Sequence, residues 1–397
     1  MASMMRGRGL PVDFRRIDQD PAERDFIAEV RSFLAEALTP ELRARIHDSG
    51  YQHDDGFHEA LGQRGWILPQ RPPAEGGAGL SRLRAEILDL ELLQAQAPVN
   101  AMLTTRLVLP AIEQHGAPDL AAELAPQVAS GHVRFCLGYT EPDSGSDIAA
   151  AKTSAVRDGD GWVINGSKMF TTEAPNCQYC FLLTRTDPKG RKHESLTMFL
   201  VPLESDGVEI SAMRTLGNET TSAVYYTDVR LDDRYRIGGE NEGWRVLLGP
   251  LEAEHTGSAS EVAPLSHQAG IALAPLRRSL DTAIRWAAQA PSDSRDEFDP
   301  YPTLAWIATE LEAASCLNDP EGRVYGSDAC IRGCAEIARL VGPAAALRRS
   351  APEAVEEGAL EEAFRFAHGT AIYGGTVEIF RNLIAQHVLG LPRPLPR

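Results

Sequence analysis

The sequence has no run of about 18 or more apolar residues, and its N-terminus, MASMMRGRGLPVDFRR, lacks the apolar centre of a secretory signal. Six cysteines in 397 residues are too sparse for a disulfide framework. An excess of positive charge is also missing, since the net charge is -17 and the isoelectric point is about 5.1. We therefore predict a soluble, cytoplasmic protein that spans no membrane and binds no nucleic acid.

Two pairs of closely spaced cysteines raise the question of a zinc site. Cys177 and Cys180 form one pair, and Cys330 and Cys334 form the other. The second pair suits one face of a helix, and no histidine pattern accompanies it. We therefore favour buried free thiols over a metal site.

The first third of the chain has helical periodicity. Apolar residues recur at helical spacing over 20–38, and after a polar connection a second helix is expected through 57–66. The stretch PQRPPAEGGAGL then interrupts regular structure. Further helical patterns cover 82–96, 101–115 and 119–128. These patterns predict an all-helical N-terminal domain.

Near residue 134 the spacing of apolar residues changes from a helical period to a strand-like period. A typical hairpin turn, Asp158-Gly159-Asp160-Gly161, separates the second run from the third. No helical pattern intervenes, which favours a compact β-barrel or sandwich of mostly antiparallel strands. The predicted strands cover 135–139, 153–156, 162–164, 179–185, 196–202, 208–214 and 223–231.

Helical patterns return at Gly243 and continue to Leu389, with polar interruptions at 290–302 and 351–358. Several long helices with alternating apolar and charged faces are typical of a bundle. The predicted fold class is therefore α+β multidomain. It comprises an N-terminal helical domain (17–132), a middle β-barrel domain (133–237) and a C-terminal helical bundle (238–397).

One loop is a candidate ligand site. The stretch LGYTEPDSGSDI (137–148) lies where helical periodicity gives way to strands, and it reads as a strand followed by a loop rich in Pro, Gly, Asp and Ser. Such a loop exposes backbone N–H groups and hydroxyls to a ligand.

Four motifs in this order resemble the acyl-CoA dehydrogenase family: LGYTEPDSGSDI, GDGWVINGSKMFTTEA, ENEGWRVLLGPLEAEH and IYGGTVEIFRNLIA. The resemblance extends over roughly residues 20–393. It implies a flavoprotein in which FAD lies between the β domain and the C-terminal helices. The implied reaction is oxidation of an acyl-CoA thioester to its trans-2-enoyl form.

The resemblance also implies which residues contact FAD. Without it, Tyr139 and Phe170 would read as ordinary core aromatics of a barrel. Gly374-Gly375-Thr376 reads independently as a Gly-rich turn into a helix, with Thr376 as N-cap. The implied FAD contacts are Tyr139, Thr140, Ser146, Phe170, Thr172, Thr376 and Glu378.

The catalytic base is displaced from its commonest position. Many family members have a glutamate after the tyrosine of a Tyr-Glu-Gly-Thr motif, whereas Gly374 follows Tyr373 here. Another branch carries its base on a helix that begins after Gly-Trp, and Glu254 matches that position. Leu247, Leu251 and Glu254 share one helical face, where partial desolvation raises the pKa of a carboxyl group toward that of a useful base.

We therefore predict that Glu254 accepts the α-proton of the substrate. The Gly374 N–H, together with a ribityl hydroxyl of the flavin, is expected to bind the thioester carbonyl and stabilise the developing enolate. Periodicity alone would make Glu254 a solvated helix residue. His255, where relatives often have Arg, leaves open how the base is held.

Two expected motifs for a neighbouring subunit's flavin are absent. An Arg-x-x-Phe-Gly pattern has no clean match, although Arg295 and Phe298 lie in that region, and 338–343 replaces Gln-x-x-Gly-Gly. We therefore predict a hetero-oligomer, α2β2, with a second acyl-CoA dehydrogenase-like subunit, as in actinobacterial steroid side-chain enzymes. The alternative is a homotetramer. Electron-transfer flavoprotein or a similar protein is the expected electron acceptor.

Two other functions remain compatible with the sequence. One is a catalytically silent subunit that completes a partner's flavin site, and the other is a flavin monooxygenase or oxidase on the same fold. The acyl group could be bulky, and its cavity is expected beside one helix at Asn100, Ala101, Met102 and Thr105.

Overall fold

The computed structural model of the chain describes residues 21–256, 268–289, 299–317 and 320–392. Its first part is helical, as predicted, and packs around aromatic side chains. The rings of Phe33 and Trp66 meet edge to face, with centroids 5.3 Å apart. The helices are α1 (Pro21–Ala37), α2 (Pro40–Ser49), α3 (Asp55–Gln63), α4 (Arg82–Gln94), α5 (Asn100–His115) and α6 (Pro118–Ala129).

Helix α2 occupies the segment that we expected to be a polar connection, so that expectation was wrong. Its sequence has a weak apolar pattern but strong terminal signals. The Thr39 hydroxyl accepts a hydrogen bond from the Leu42 N–H at 3.2 Å, and Pro40 occupies the first turn. Gly50 ends the helix in the left-handed region, at φ 73°. Capping residues therefore define a helix that periodicity missed.

The middle part is one eight-stranded sheet, rather than two facing sheets, in the described residues. The strand order is β6-β7-β3-β2-β4-β5-β8, and β1 pairs in parallel with β4. Most other pairings are antiparallel, as predicted. The strands are β1 (Phe135–Gly138), β2 (Ser154–Asp158), β3 (Gly161–Lys168), β4 (Tyr179–Arg185), β5 (Leu196–Pro202), β6 (Val208–Arg214), β7 (Thr220–Asp232) and β8 (Arg236–Ile237).

Both faces of the central strands are buried. Along β4, Phe181 packs into the core shared with the N-terminal helices, whereas Leu182 packs into a second core on the opposite face. The same alternation continues on β5 with Met198 and Phe199. The sheet is therefore a rigid platform from which the loop after β1 projects.

The C-terminal helices have their own core, as expected for a bundle. Cys330 and Cys334 lie on α10 and are buried in this core. The described cysteines are all free, and no cluster of metal-ligating side chains occurs among the described residues. The helices are α7 (Gly243–Thr256), α8 (Gln268–Gln289), α9 (Tyr301–Ser315), α10 (Glu321–Val341), α11 (Ala359–Gly369) and α12 (Val377–Leu383).

Two connections separate these three parts. Helix α6 and strand β1 flank residues 130–134, and β8 and α7 flank residues 238–242. The proposed domain boundaries after residues 132 and 237 fall at these connections. No described helix is both long enough and apolar enough to cross a membrane.

Candidate active site

A buried ion pair supports the loop that follows β1. Lys168, at the end of β3, has no exposed surface, and its Nζ donates to Glu141 Oε1 at 2.8 Å. The same Nζ donates to the Tyr139 carbonyl at 3.2 Å. The loop is thereby anchored to the sheet at two points, one of them a charge pair.

Glu141 also ties the start of this loop to its far end, where the chain leads into β2. Its carboxylate accepts hydrogen bonds from the backbone N–H groups of Lys152, at 2.7 Å, and Thr153, at 2.9 Å. Burial opposes ionisation, but Lys168 and these N–H groups hold the pKa of Glu141 below its usual value. Sequence reasoning missed both Glu141 and Lys168, because their pairing across 27 residues leaves no local pattern.

The segment Met169–Thr172 lies beside the loop. The Met169 N–H donates to the Thr140 carbonyl at 2.9 Å, and the Thr171 N–H donates to the Ser222 carbonyl at 2.9 Å. The hydroxyl oxygens of Thr172 and Thr221 are 3.4 Å apart. The predicted flavin residues Thr140, Phe170 and Thr172 are therefore on adjoining segments.

Phe170 has an unusual conformation at this position. Its φ of 58° is in the left-handed region, which is costly for a bulky residue, and 61% of its surface is exposed. It is therefore not a core aromatic. Tyr139, in contrast, is buried, and its ring packs edge to face against Phe181 with centroids 6.2 Å apart.

The polar groups near Phe170 fit a planar ligand with a hydrogen-bonding edge. The buried hydroxyls of Thr171 and Ser222 have no hydrogen-bond partner within the described residues. An exposed aromatic ring on a segment that also carries an unpaired hydroxyl is suited to a ring system such as the FAD isoalloxazine. Ser146, farther along the loop, is exposed to solvent.

The second candidate loop precedes α12. Gly374 and Gly375 both have positive φ, 64° and 91°, which explains why glycine occupies these positions. Thr376 caps α12 as predicted, and its hydroxyl accepts from the Ile379 N–H at 3.4 Å. Glu378, in the first turn, is exposed and lies 3.7 Å from Arg381.

Glu219 interacts electrostatically with Glu173, which follows the segment around Phe170, and with Tyr373, which precedes Gly374. It precedes β7, and burial together with repulsion from Glu173 and Glu362 raises its pKa to about 7. Burial and the nearby charge of Glu219 in turn raise the pKa of Tyr373, which precedes Gly374. The start of β7 therefore links the segment around Phe170 to the glycine loop.

The helix that carries the predicted base begins at Gly243, as expected. Leu247 is fully buried and Leu251 is half-buried against the same core, so this face of α7 points inward. Glu254 is in the last turn of α7, and its side chain and that of His255 lie outside the described residues.

The helix expected to line the acyl cavity is packed at three of its four named positions. Ala101, Met102 and Thr105 have no exposed surface, and only Asn100 is half-exposed. The Thr105 hydroxyl accepts from the Phe135 N–H at 2.9 Å, which joins α5 to β1. That expectation was therefore wrong for these three residues, because tertiary packing uses them as core.

The structure describes the region of one missing flavin motif but not the two residues named for the other. Arg295 and Phe298 lie outside the described residues. The replacement for the second motif spans the end of α10, where Gly342 has a φ of 75°.

Comparisons with known proteins agree with this architecture. Residues 20–132 match the family model "Acyl-CoA dehydrogenase, N-terminal domain", and residues 136–233 match "Acyl-CoA dehydrogenase, middle domain". IpdE1, an acyl-CoA dehydrogenase of Mycobacterium tuberculosis, is 31% identical over 93% of this chain and 98% of its own length. The chain belongs to the acyl-CoA dehydrogenase family.

Other relatives extend the likeness over nearly the whole chain. FadE26 of Mycobacterium tuberculosis, also named an acyl-CoA dehydrogenase, is 29% identical over 95% of this chain and 99% of its own length. The protein is accordingly an acyl-CoA dehydrogenase, an oxidoreductase of a family that is generally FAD-dependent.

Two solved structures show the same fold. The ChsE4-ChsE5 complex from Mycobacterium tuberculosis has a TM-score of 0.83 and 30% identity, covering 96% of this chain and 100% of the matched chain. The Tcur3481-Tcur3483 steroid acyl-CoA dehydrogenase has a TM-score of 0.83 and 27% identity, with the same coverage. The name of each solved structure combines the names of two proteins.

Proposed function

We propose that the chain holds FAD and converts an acyl-CoA thioester to the trans-2-enoyl-CoA. The observation that carries this proposal is the exposed Phe170, held at a positive φ and followed by Thr171, whose unpaired hydroxyl and backbone bond to Ser222 belong to the same segment. Bound FAD would supply the two-electron acceptor. The residues proposed to hold it are Tyr139, Thr140, Ser146, Phe170, Thr172, Thr376 and Glu378.

Glu254 is proposed to remove the α-proton. Dehydrogenation requires a base that can accept this proton near neutral pH, and a carboxylate on the inward face of an apolar helix meets that requirement. The buried Leu247 and half-buried Leu251 define this face. Glu252, two residues earlier, is rotated about 200° around the helix and serves as a matched control.

Gly374 is proposed to stabilise the negative charge that develops on the thioester oxygen. Within the described part of the chain, its N–H donates to no backbone or side-chain acceptor. An N–H without an internal partner is available to a ligand oxygen, and such donors provide large transition-state stabilisation.

Glu254→Gln and Glu252→Gln test the assignment of the base. Both variants should bind FAD and an acyl-CoA as the wild type does. Under anaerobic conditions, acyl-CoA should bleach the flavin absorbance of the wild type and Glu252→Gln. The same reaction should slow by about 1,000-fold or more in Glu254→Gln. Wild-type bleaching speed in Glu254→Gln would contradict the proposal.

The other two functions give different outcomes in the same assay. A silent subunit would show no bleaching with any thioester. An oxidase or monooxygenase would reoxidise rapidly in air, whereas a dehydrogenase should reoxidise slowly and pass electrons to electron-transfer flavoprotein or an artificial acceptor.

We further propose an α2β2 assembly that acts on a bulky, steroid-type side-chain thioester. The support is the likeness to two solved complexes that each join two proteins, one of them named a steroid enzyme. Co-expression with candidate partner subunits, followed by measurement of mass and flavin content, tests the assembly. A stable homotetramer with one FAD per chain would refute it.

A further inference from the structure

Arg323 is a fully buried arginine in α10, against the loop that carries Gly374. Its guanidinium donates to the Tyr373 carbonyl at 2.5 Å and approaches the Gly375 carbonyl at 3.5 Å. It also donates to the Ser327 hydroxyl at 2.7 Å. These contacts connect one side chain to the Tyr373–Gly374 peptide and to the Gly375–Thr376 peptide.

Aromatic rings and a second hydrogen bond hold the guanidinium in place. Its central carbon lies 5.8 Å from the ring centroid of Tyr373 and 5.7 Å from that of Phe380. Ser327 in turn donates to the Thr370 carbonyl at 3.0 Å, near the start of the same loop. The planar guanidinium of Arg323 is therefore preorganised. A lysine ammonium could not reproduce the geometry of its paired N–H donors.

The direction of the Tyr373–Gly374 peptide follows from this contact. In a trans peptide the C=O and the N–H point in opposite directions. The Tyr373 carbonyl points toward Arg323 and α10, so the Gly374 N–H points away from α10. A charged donor on the carbonyl also polarises the peptide, which makes its N–H a stronger donor.

We propose that Arg323 is a positioning residue for the oxyanion donor Gly374: it orients and polarises the peptide that stabilises the enolate, without touching the substrate. This inference rests on the proposed function. Because Arg323 acts through Gly374, its loss should weaken binding of an enolate more than binding of a neutral thioester.

The test uses holoenzyme and acetoacetyl-CoA, whose enolate is followed by ultraviolet absorbance as pH is varied. Arg323→Met should move the midpoint of bound-enolate formation up by about one pH unit, which is a tenfold loss of enolate stabilisation. Affinity for a saturated acyl-CoA should stay within about twofold. Arg332→Met is the control, because Arg332 is on the same helix but pairs with Glu310 at the surface.

Arg323→Lys keeps the inference testable if Arg323→Met does not fold. This variant retains the positive charge but loses the planar guanidinium. We therefore expect a smaller upward shift of the midpoint of bound-enolate formation, about half a pH unit. A wild-type midpoint in Arg323→Met, or in Arg323→Lys when that variant alone folds, would overturn the role of Arg323. If acyl-CoA fails to bleach the wild-type flavin, the proposed function itself fails, and this inference fails with it.

Discussion

The two loops of the candidate site are both held by buried cations, but in different ways. Lys168 supports the loop after β1 through a carboxylate, Glu141, as well as the Tyr139 carbonyl. The contacts described for Arg323 are with carbonyls, a hydroxyl and two aromatic rings. One loop is thus fixed by charge pairing within the sheet, and the other by oriented hydrogen bonds within the C-terminal bundle.

Because of this difference, the two loops depend on different parts of the fold. The first loop is bonded to β3 and to the residues that lead into β2, so its shape depends on the sheet. The glycine loop takes its shape from α10 and its capped helix, so it depends on packing of the bundle. Removing the two kinds of support should therefore have distinct consequences.

The largest effect on stability is expected from Lys168→Met. This change leaves Glu141 as a buried, unpaired carboxylate, which costs about 3–5 kcal/mol of unfolding free energy. Lys152→Met is the control, because its pair with Asp143 is exposed and contributes about 0–1 kcal/mol. Urea unfolding at fixed pH measures both. Equal losses in the two variants would show that the buried pair is not the main support.

An intermediate effect is expected at Glu219, which precedes β7. Its pKa is raised from 4.5 to about 7, so the folded protein keeps a proton that the unfolded chain releases. Wild-type stability should therefore fall as pH rises from about 4.5 to 7, by a contribution on the order of 3 kcal/mol. The carboxyl group is faced by Glu173, Glu362 and Tyr373.

Glu219→Gln should remove this contribution. The melting temperature of the variant relative to wild type should rise between pH 5 and about pH 7 and then level off. Glu209→Gln, an exposed change on β6 of the same hairpin, is the charge-matched control. A pH-independent difference between Glu219→Gln and wild type would contradict the raised pKa.

The smallest effect is expected at Phe170, on the segment Met169–Thr172 beside the first loop. Phe170→Gly should relieve the positive φ and stabilise the flavin-free protein by about 1 kcal/mol, while flavin affinity falls. Phe170→Ala removes the ring but keeps the strain, so it should lose affinity without gaining stability. Thermal unfolding and flavin titration distinguish these effects. Unchanged flavin affinity in both variants would remove Phe170 from the proposed site.

Local signals predicted much of the architecture. The hairpin at 158–161 and the start of α7 at Gly243 follow directly from turn chemistry and a change of period. Helix α2 was missed because its signals are caps rather than an apolar stripe. Strand β8 has two residues, too few for any period to be seen.

The same distinction between local patterns and long-range contacts applies to the candidate site. The residues proposed around the flavin were named from motifs that resemble the acyl-CoA dehydrogenase family. The α-helical, β-sheet and α-helical order was apparent from the sequence alone, because it depends on short-range patterns. Tertiary structure decided which charges are buried together, as in Lys168 with Glu141, and which peptide Arg323 orients. It also made Met102 and Thr105 core residues rather than cavity lining. These outcomes depend on contacts between segments that are distant in the sequence. Neither local apolar periodicity nor capping residues indicate such contacts.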